Sequence, residues 1–289
     1  MESLCVCNTS EDSISIIDLI NFKEKSRISL KAIERVGPHG ICKYNSEIIT
    51  ANNFSNSISK VNIHDDYIVS EHFIGMNCND VKIFEDKAFI ICGDCNNIIC
   101  FDLIENKVIY ELPCGDFPHS IAMYNQKIVT ADMNSDSITV YDSLIKNGFS
   151  KRVGAFPTKA VFNEDGKNII VCESNIGSDK NGTISVHDTD NLNLLYKLEV
   201  GNCPVDLCVN NNICFVSNYC EGTLSILDLK ALKEINKIYI GGMPRGVIKK
   251  DLNLYVGDSY KNRVCKVSLD SMEIENVAVG KEPTALLFI

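Results

Sequence analysis

The stretch Gly115–Asp142, GDFPHSIAMYNQKIVTADMNSDSITVYD, decides the fold, because the rest of the chain repeats it with variations. It opens Gly-x-x-Pro, passes through a short apolar run (Ile121, Met123) and turns at Asn125-Gln126-Lys127. A second run, Ile128 to Ala131, ends on Asp132. A polar loop with Asn134 and Asp136 leads into a third, alternating run from Ser137 to Tyr141, closed by Asp142. Apolar residues alternating with period two, bounded by Asn, Asp, Gly and Pro, specify β-strands joined by tight turns. Three of them in so short a stretch are most of one four-stranded sheet.

The unit recurs along the whole chain. Its prolines fall at Pro38, Pro118, Pro157, Pro204, Pro244 and Pro283, with Cys78 standing where one is missing; successive spacings are 40, 40, 39, 47, 40 and 39 residues. A period of about 40–45 residues with several strands per unit marks propeller blades. The second run ends in VCN at Asn8, TAN at Asn52, CGD at Asp94, TAD at Asp132, VSN at Asn218 and VGD at Asp258, with Glu173 equivalent in the fourth unit. The third run appears seven times: SISIIDL (13–19), SISKVNI (57–63), NIICFDL (97–103), SITVYDS (137–143), TISVHDT (183–189), TLSILDL (223–229) and RVCKVSL (263–269).

The chain starts on a second-strand match, LCVCN, and the last unit holds only a first strand, PTALLFI. Two fragments left apart would expose unpaired sheet edges, which proteins avoid; joined, they make one blade and seal a ring. The fold expected is therefore all-β, a seven-bladed β-propeller occupying residues 1–289 as a single domain. Blades one to six cover about 37–74, 75–114, 115–153, 154–200, 201–240 and 241–279. The closing blade takes one C-terminal strand (280–289) and three N-terminal ones (1–36), with Ser26 to Ile33 outermost. Blade two is expected to carry a loop after Asp94 two residues shorter than its counterparts. Blade four carries an insertion, Asn175 to Asn181, expected to project from the ring.

GPHG (37–40), GDFPHS (115–120), ITAN (49–52), FVSN (215–218) and the Ile-Ser-Val-x-Asp type third strands resemble the YVTN family of β-propeller repeats. The similarity covers essentially the whole chain. It implies the propeller fold but no one activity, because YVTN-type propellers are similar to bacterial lactonase propellers, archaeal surface-layer proteins and periplasmic proteins of unsettled role.

Composition narrows the partners. A formal net charge of −10 argues against nucleic acid, whose phosphates require Lys and Arg, and against anionic membrane surfaces. No apolar segment approaches the length of a membrane span, and the N-terminus MESLCVCNTSED has no basic region followed by an apolar stretch, so no signal peptide is expected. The fourteen cysteines follow no disulfide pattern; many sit inside β-runs as small apolar residues, and a reducing cytosol and a monomer are the expectation.

In a propeller, the loop entering the innermost strand and the loop joining strands two and three open on the same face, around one mouth of the channel. The residues following the proline position are His39, Asn79, His119, Thr158, Val205, Arg245 and Thr284, then Gly40, Asp80, Ser120, Lys159, Asp206, Gly246 and Ala285. The candidate ligand-binding set is accordingly His39, Asp80, His119, Lys159, Asp206 and Arg245, with Asp94, Asp132 and Asp258 from the second-strand ends. The competing assignment makes these residues turn formers, whose Asp and Asn bond neighbouring backbone N–H groups. His64, His72 and His187 fall away from the mouth. Cys92-Gly-Asp-Cys95 is a lone C-x-x-C with Cys78 nearby, and Cys203 and Cys220 share the same face; zinc sites use four ligands and redox C-x-x-C motifs open helices, so neither a metal nor a cofactor is expected.

No nucleophile elbow, zinc-protease motif or phosphate loop occurs. The leading expectation is a non-catalytic propeller binding a protein or a small ligand at the channel mouth. The alternatives are a lactonase-like hydrolase of a sugar lactone, with Arg245 or Lys159 holding an anionic substrate, and an assembly protein of a cell or spore surface.

Overall fold

A computed structural model describes residues 2–31, 34–63, 67–142 and 148–289, apart from the side chains of Tyr67 and Asp142. Among these residues the chain forms seven four-stranded antiparallel sheets, six of them built from consecutive strands. The seventh has the order Pro283–Phe288, Ser3–Asn8, Ser13–Asp18, Lys23–Ser29, so the two ends of the chain complete one blade. Val6 pairs with Leu286 and Leu4 with Phe288, while Ser3 and Ile289 exchange two N–H···O bonds of 3.0 Å. No described helix is long and apolar enough to cross a membrane.

Packing follows from burial. The two middle strands of a blade are largely buried, Ser3–Asn8 along its full length; an inner strand such as Pro204–Asn210 mixes buried with half-buried positions, and an outer strand such as Lys233–Tyr239 is almost wholly exposed. The buried side chains gather into seven clusters, each between two neighbouring blades. Cys92 and Ile90 of blade two pack on Ile49 and Ile58 of blade one, and Leu4 and Val6 of the closing blade on Val264 and Val277 of blade six. Each sheet thus buries both faces against its neighbours, which is why apolar content is spread evenly over the repeats.

The repeated residues have repeated duties. Asp18, Asp102, Asp188 and Asp228 end their third strands by accepting the backbone N–H groups two and three residues on. These bonds hold the Asp18 and Asp102 carboxyls below the usual carboxylate range and turn the chain at once into the outer strand. That tight turn places the outer strand of the closing blade at Lys23–Ser29 rather than Ser26 to Ile33; residues 32 and 33 lie outside the described residues.

Blade two needs a second correction. Cys78 pairs with Cys92 as Pro118 pairs with Asp132, and Gly93 N–H donates to Asn77 O just as Met133 N–H donates to Phe117 O. Its second strand therefore ends at Cys92, not Asp94. The loop to the third strand, 93–96, has the same four residues as 53–56 and 133–136 and is not shortened. Asp94 falls in a short 3-10 turn, exposed. In blade four the insertion occupies 174–180, between Glu173 and Asn181.

Candidate functional site at the channel mouth

The inner strands do not run regularly into the channel. In every blade the ladder slips directly after the proline position: between Pro38 and Gly40, Cys78 and Asp80, Pro118 and Ser120, Pro157 and Lys159, Pro204 and Asp206, and Pro244 and Val247, and likewise opposite Pro283. Successive side chains of a regular strand point to opposite faces; a bulge inserts an unpaired residue and re-aims its side chain. Both residues after each proline therefore line one cavity of about 70 Å³, enough for a few waters or a small organic molecule. His39, Asp80, His119, Lys159, Asp206 and Arg245 all face it, together with Asn79, Ser120, Thr158 and Thr284.

Two constellations divide the wall. In the first, Lys159 Nζ lies 3.4 Å from Asp206 Oδ1 and 3.8 Å from Asp80 Oδ2, and Lys82 Nζ lies 3.3 Å from Asp80 Oδ1. The carboxylates also stitch the ring, since Asp80 Oδ2 accepts Ile121 N–H of the next blade (3.3 Å) and Asp206 Oδ2 accepts Val247 N–H (3.1 Å). Burial alone would raise the Asp80 carboxyl, but Lys82, Lys159 and the N–H groups of Val81 and Ile121 outweigh it and hold it below its ordinary value. Burial would lower the Lys159 ammonium, and Asp206 and Asp80 overcome this and raise it. The set is self-neutralising, two lysines against two carboxylates.

The second constellation is open. His39 and His119 meet edge to face, ring centres 5.8 Å apart. Each Nδ1 lies 2.8 Å from a backbone carbonyl, that of Asn79 for His39 and that of Thr158 for His119. A carbonyl only accepts, so both Nδ1 atoms carry the proton. Burial, Arg245 and His119 push the His39 imidazole down to about 3; burial, Arg245 and Lys159 bring His119 down to about 4. Both rings are neutral near pH 7, with a lone pair on Nε2. Arg245 Nη2 lies 3.4 Å from His39 Nε2, and Nη1 lies 3.4 Å from Glu282 Oε1.

Asp132 and Asp258 belong elsewhere. Both are fully buried at the ends of second strands, where they tie the third strand to the loop. Thr139 and Ser137 hydroxyls donate to Asp132 Oδ2 (2.6 and 3.4 Å), and Arg263 Nε and Met243 N–H donate to Asp258 (2.8 and 3.0 Å). Asn8, Asn52 and Asn218 bond the same two hydroxyl positions through Nδ2. Glu173 adds the Gly154 N–H (2.7 Å) and Lys197 (2.8 Å). A Cβ on Gly154 would come within 2.3 Å of Glu173, and one on Gly115 within 2.6 Å of Asp132. The glycine of Gly-x-x-Pro is thus the space this clamp occupies. The channel therefore gathers six of the nine candidate residues and excludes Asp94, Asp132 and Asp258.

Sequence reasoning missed Lys82 and Glu282, the ion partners of Asp80 and Arg245. Lys82 was findable as the residue two beyond Asp80 on the same strand face; Glu282 precedes Pro283 and gave no signal. His72 and His187 lie off the mouth, bonded to Ser70 and Ser185, and His64 lies outside the described residues. The Cys78 and Cys92 thiols sit 3.7 Å apart in the core, and among the described residues no disulfide joins any two cysteines. Among the described residues no three His, Cys, Asp or Glu side chains gather as metal ligands.

No protein-family model matches the chain, and no curated protein does. Solved structures do. A functionally unknown protein from Desulfotomaculum acetoxidans superposes with a TM-score of 0.83 at 15% identity, covering 99% of this chain and 98% of its own. Kuenenia stuttgartiensis hydrazine synthase reaches 0.79 at 15% identity over 92% and 91%. AztD from Citrobacter koseri reaches 0.65 at 11% over 100% and 97%. At these identities the likeness is one of fold: the chain is a seven-bladed β-propeller.

Proposed function

We propose that the chain is a non-catalytic propeller of the YVTN type that binds a small polar ligand at the channel mouth. The observation that carries this reading is the convergence of His39, His119 and Arg245, from three different blades, on one cavity through a bulge that every blade repeats. Such a device presents side chains to a guest. A lactonase-like hydrolysis would need a base near its operating pH. The two imidazoles are far too weakly basic for that, and Asp80 and Asp206 are occupied by Lys159 and backbone N–H groups. Fourteen cysteines with no disulfide among the described residues fit a reducing cytosol.

The test is a thermal-shift screen of small metabolites, with hits mapped by NMR on the amides of Gly40, Ser120 and Gly246. Hits that perturb these amides and weaken in Arg245→Gln support the reading. Hits that perturb only other surfaces, or turnover of any member of a lactone panel, would overturn it.

A further inference from the structure

We propose that the ligand is a small hydroxycarboxylic acid, its carboxylate held by Arg245 and its hydroxyl donated to Nε2 of His119. The inference rests on the channel-mouth reading above and specifies what that mouth selects.

The argument is an inventory of unmet hydrogen-bonding capacity. A guanidinium carries five N–H donors in a planar fork suited to a carboxylate. Arg245 spends them, among the described residues, on two contacts of 3.4 Å, one to Glu282 and one to His39. Lys159 stands between two carboxylates, Asp80 and Asp206, which more than balance its charge. Arg245 has one carboxylate beside it, Glu282, and a planar fork of donors that those two contacts do not fill, so it is the cation able to take a further carboxylate.

The acceptor without a donor is His119. Its Nδ1 proton is committed to Thr158 O, so Nε2 offers a lone pair, and no described side chain donates to it. His39 is set up in the same way through Asn79 O, but its Nε2 already faces Arg245. The two rings stand 5.8 Å apart and nearly perpendicular, so the open lone pair and the open guanidinium share one small space.

Charge decides what donor the lone pair receives. A metal ion or an ammonium there would sit beside a fixed guanidinium, with the nearby carboxylates already committed. A neutral hydroxyl carries no such penalty. Size agrees, because a cavity of about 70 Å³ seats a two- or three-carbon acid.

The test is calorimetric titration of the full chain at pH 7.5 with glycolate, acetate and propane-1,2-diol, followed by NMR on the Gly40, Ser120 and Gly246 amides. Glycolate should bind at least tenfold tighter than either fragment. His119→Asn keeps a side-chain donor for Thr158 O while removing the Nε2 acceptor; it should bring glycolate down to the affinity of acetate and leave acetate unchanged. Arg245→Gln should abolish binding of both acids, and unchanged melting curves establish that the variants fold. Equal affinities for glycolate and acetate, equal losses of both in His119→Asn, or diol binding as tight as glycolate would overturn the assignment. If screening hits of another class move the channel amides while glycolate does not, the ligand class is wrong and the channel site stands. If glycolate binds but moves amides elsewhere, both fall.

Discussion

Replacing Lys159 with Met tests the electrostatic frame of the channel. The ammonium lies 3.4 Å from Asp206 and 3.8 Å from Asp80, whose side chains are 20% and 10% exposed. Removing one member of a buried ion pair costs about 3–5 kcal/mol, because the other charge stays behind unpaired. Here Asp80 keeps Lys82 and both carboxylates keep a backbone N–H, so we expect about 2–3 kcal/mol. At roughly 2–4 °C per kcal/mol for a chain of this size, the melting temperature should fall by about 4–12 °C. The sign with pH follows from Asp80. Its folded pKa is depressed, so the stability it contributes is present above the unfolded value of about 3.9 and is lost as the pH falls through the folded one. The variant forfeits Lys159's share of that contribution. Urea unfolding followed by circular dichroism should thus show the full gap between variant and native protein at pH 7.5 and a shrinking gap below about pH 4. A gap that is absent at pH 7.5, or that does not change with pH, would refute the frame.

Other expectations follow from the same geometry. The unfolded chain protonates its histidines near pH 6.5, but in the fold His119 waits until about 4 and His39 until about 3. Stability should therefore decline as the pH drops below about 6.5, and His39→Gln combined with His119→Asn should flatten that decline in thermal melts. Asn218→Ala strips partners from Thr223, Ser225 and the Gly201 N–H and should cost about 2–4 kcal/mol in urea unfolding; a loss under about 0.5 kcal/mol would show that the strand-end clamp is dispensable. Native-state alkylation with iodoacetamide, read by mass spectrometry, should modify the exposed Cys220 first and leave buried Cys78 and Cys92 untouched until the chain is unfolded.

The ring was legible because its period, its seven third strands and the pairing of its two ends are all carried by residue types that turns and strands demand. The channel lining was legible for a narrower reason: position after the proline is a fixed register, and the bulge repeats in every blade. Blade two misled because Cys78 and Cys92 replace the two residues that mark the register, while Cys-Gly-Asp imitates Thr-Ala-Asp two positions late. Asp132 and Asp258 misled differently. An acid at a strand end looks the same whether it faces a ligand or a hydroxyl, and their partners five and seven residues onward become neighbours only when strands two and three pair. The ion partner Glu282 shows the limit, since its single pairing with Arg245 across a seam leaves no period to detect.

The seams between blades are not alike. The fourth loop residue adopts a left-handed conformation in Asp12, Asn56, Asn96, Asp136 and Asn262, and each lends a side-chain oxygen to a backbone N–H of the following blade. Gly222 has the same backbone twist and no side chain to lend, and the insertion at 174–180 displaces the equivalent in blade four. Among the described residues, blade five is thus flanked on both sides by joints without this loop latch, and its Asp206 spans both at the channel wall, paired with Lys159 of blade four and accepting Val247 N–H of blade six. A closed circle of otherwise equivalent members thus hangs two of its joins on a single carboxylate, whereas its closure rests on the backbone ladder that pairs Val6 with Leu286.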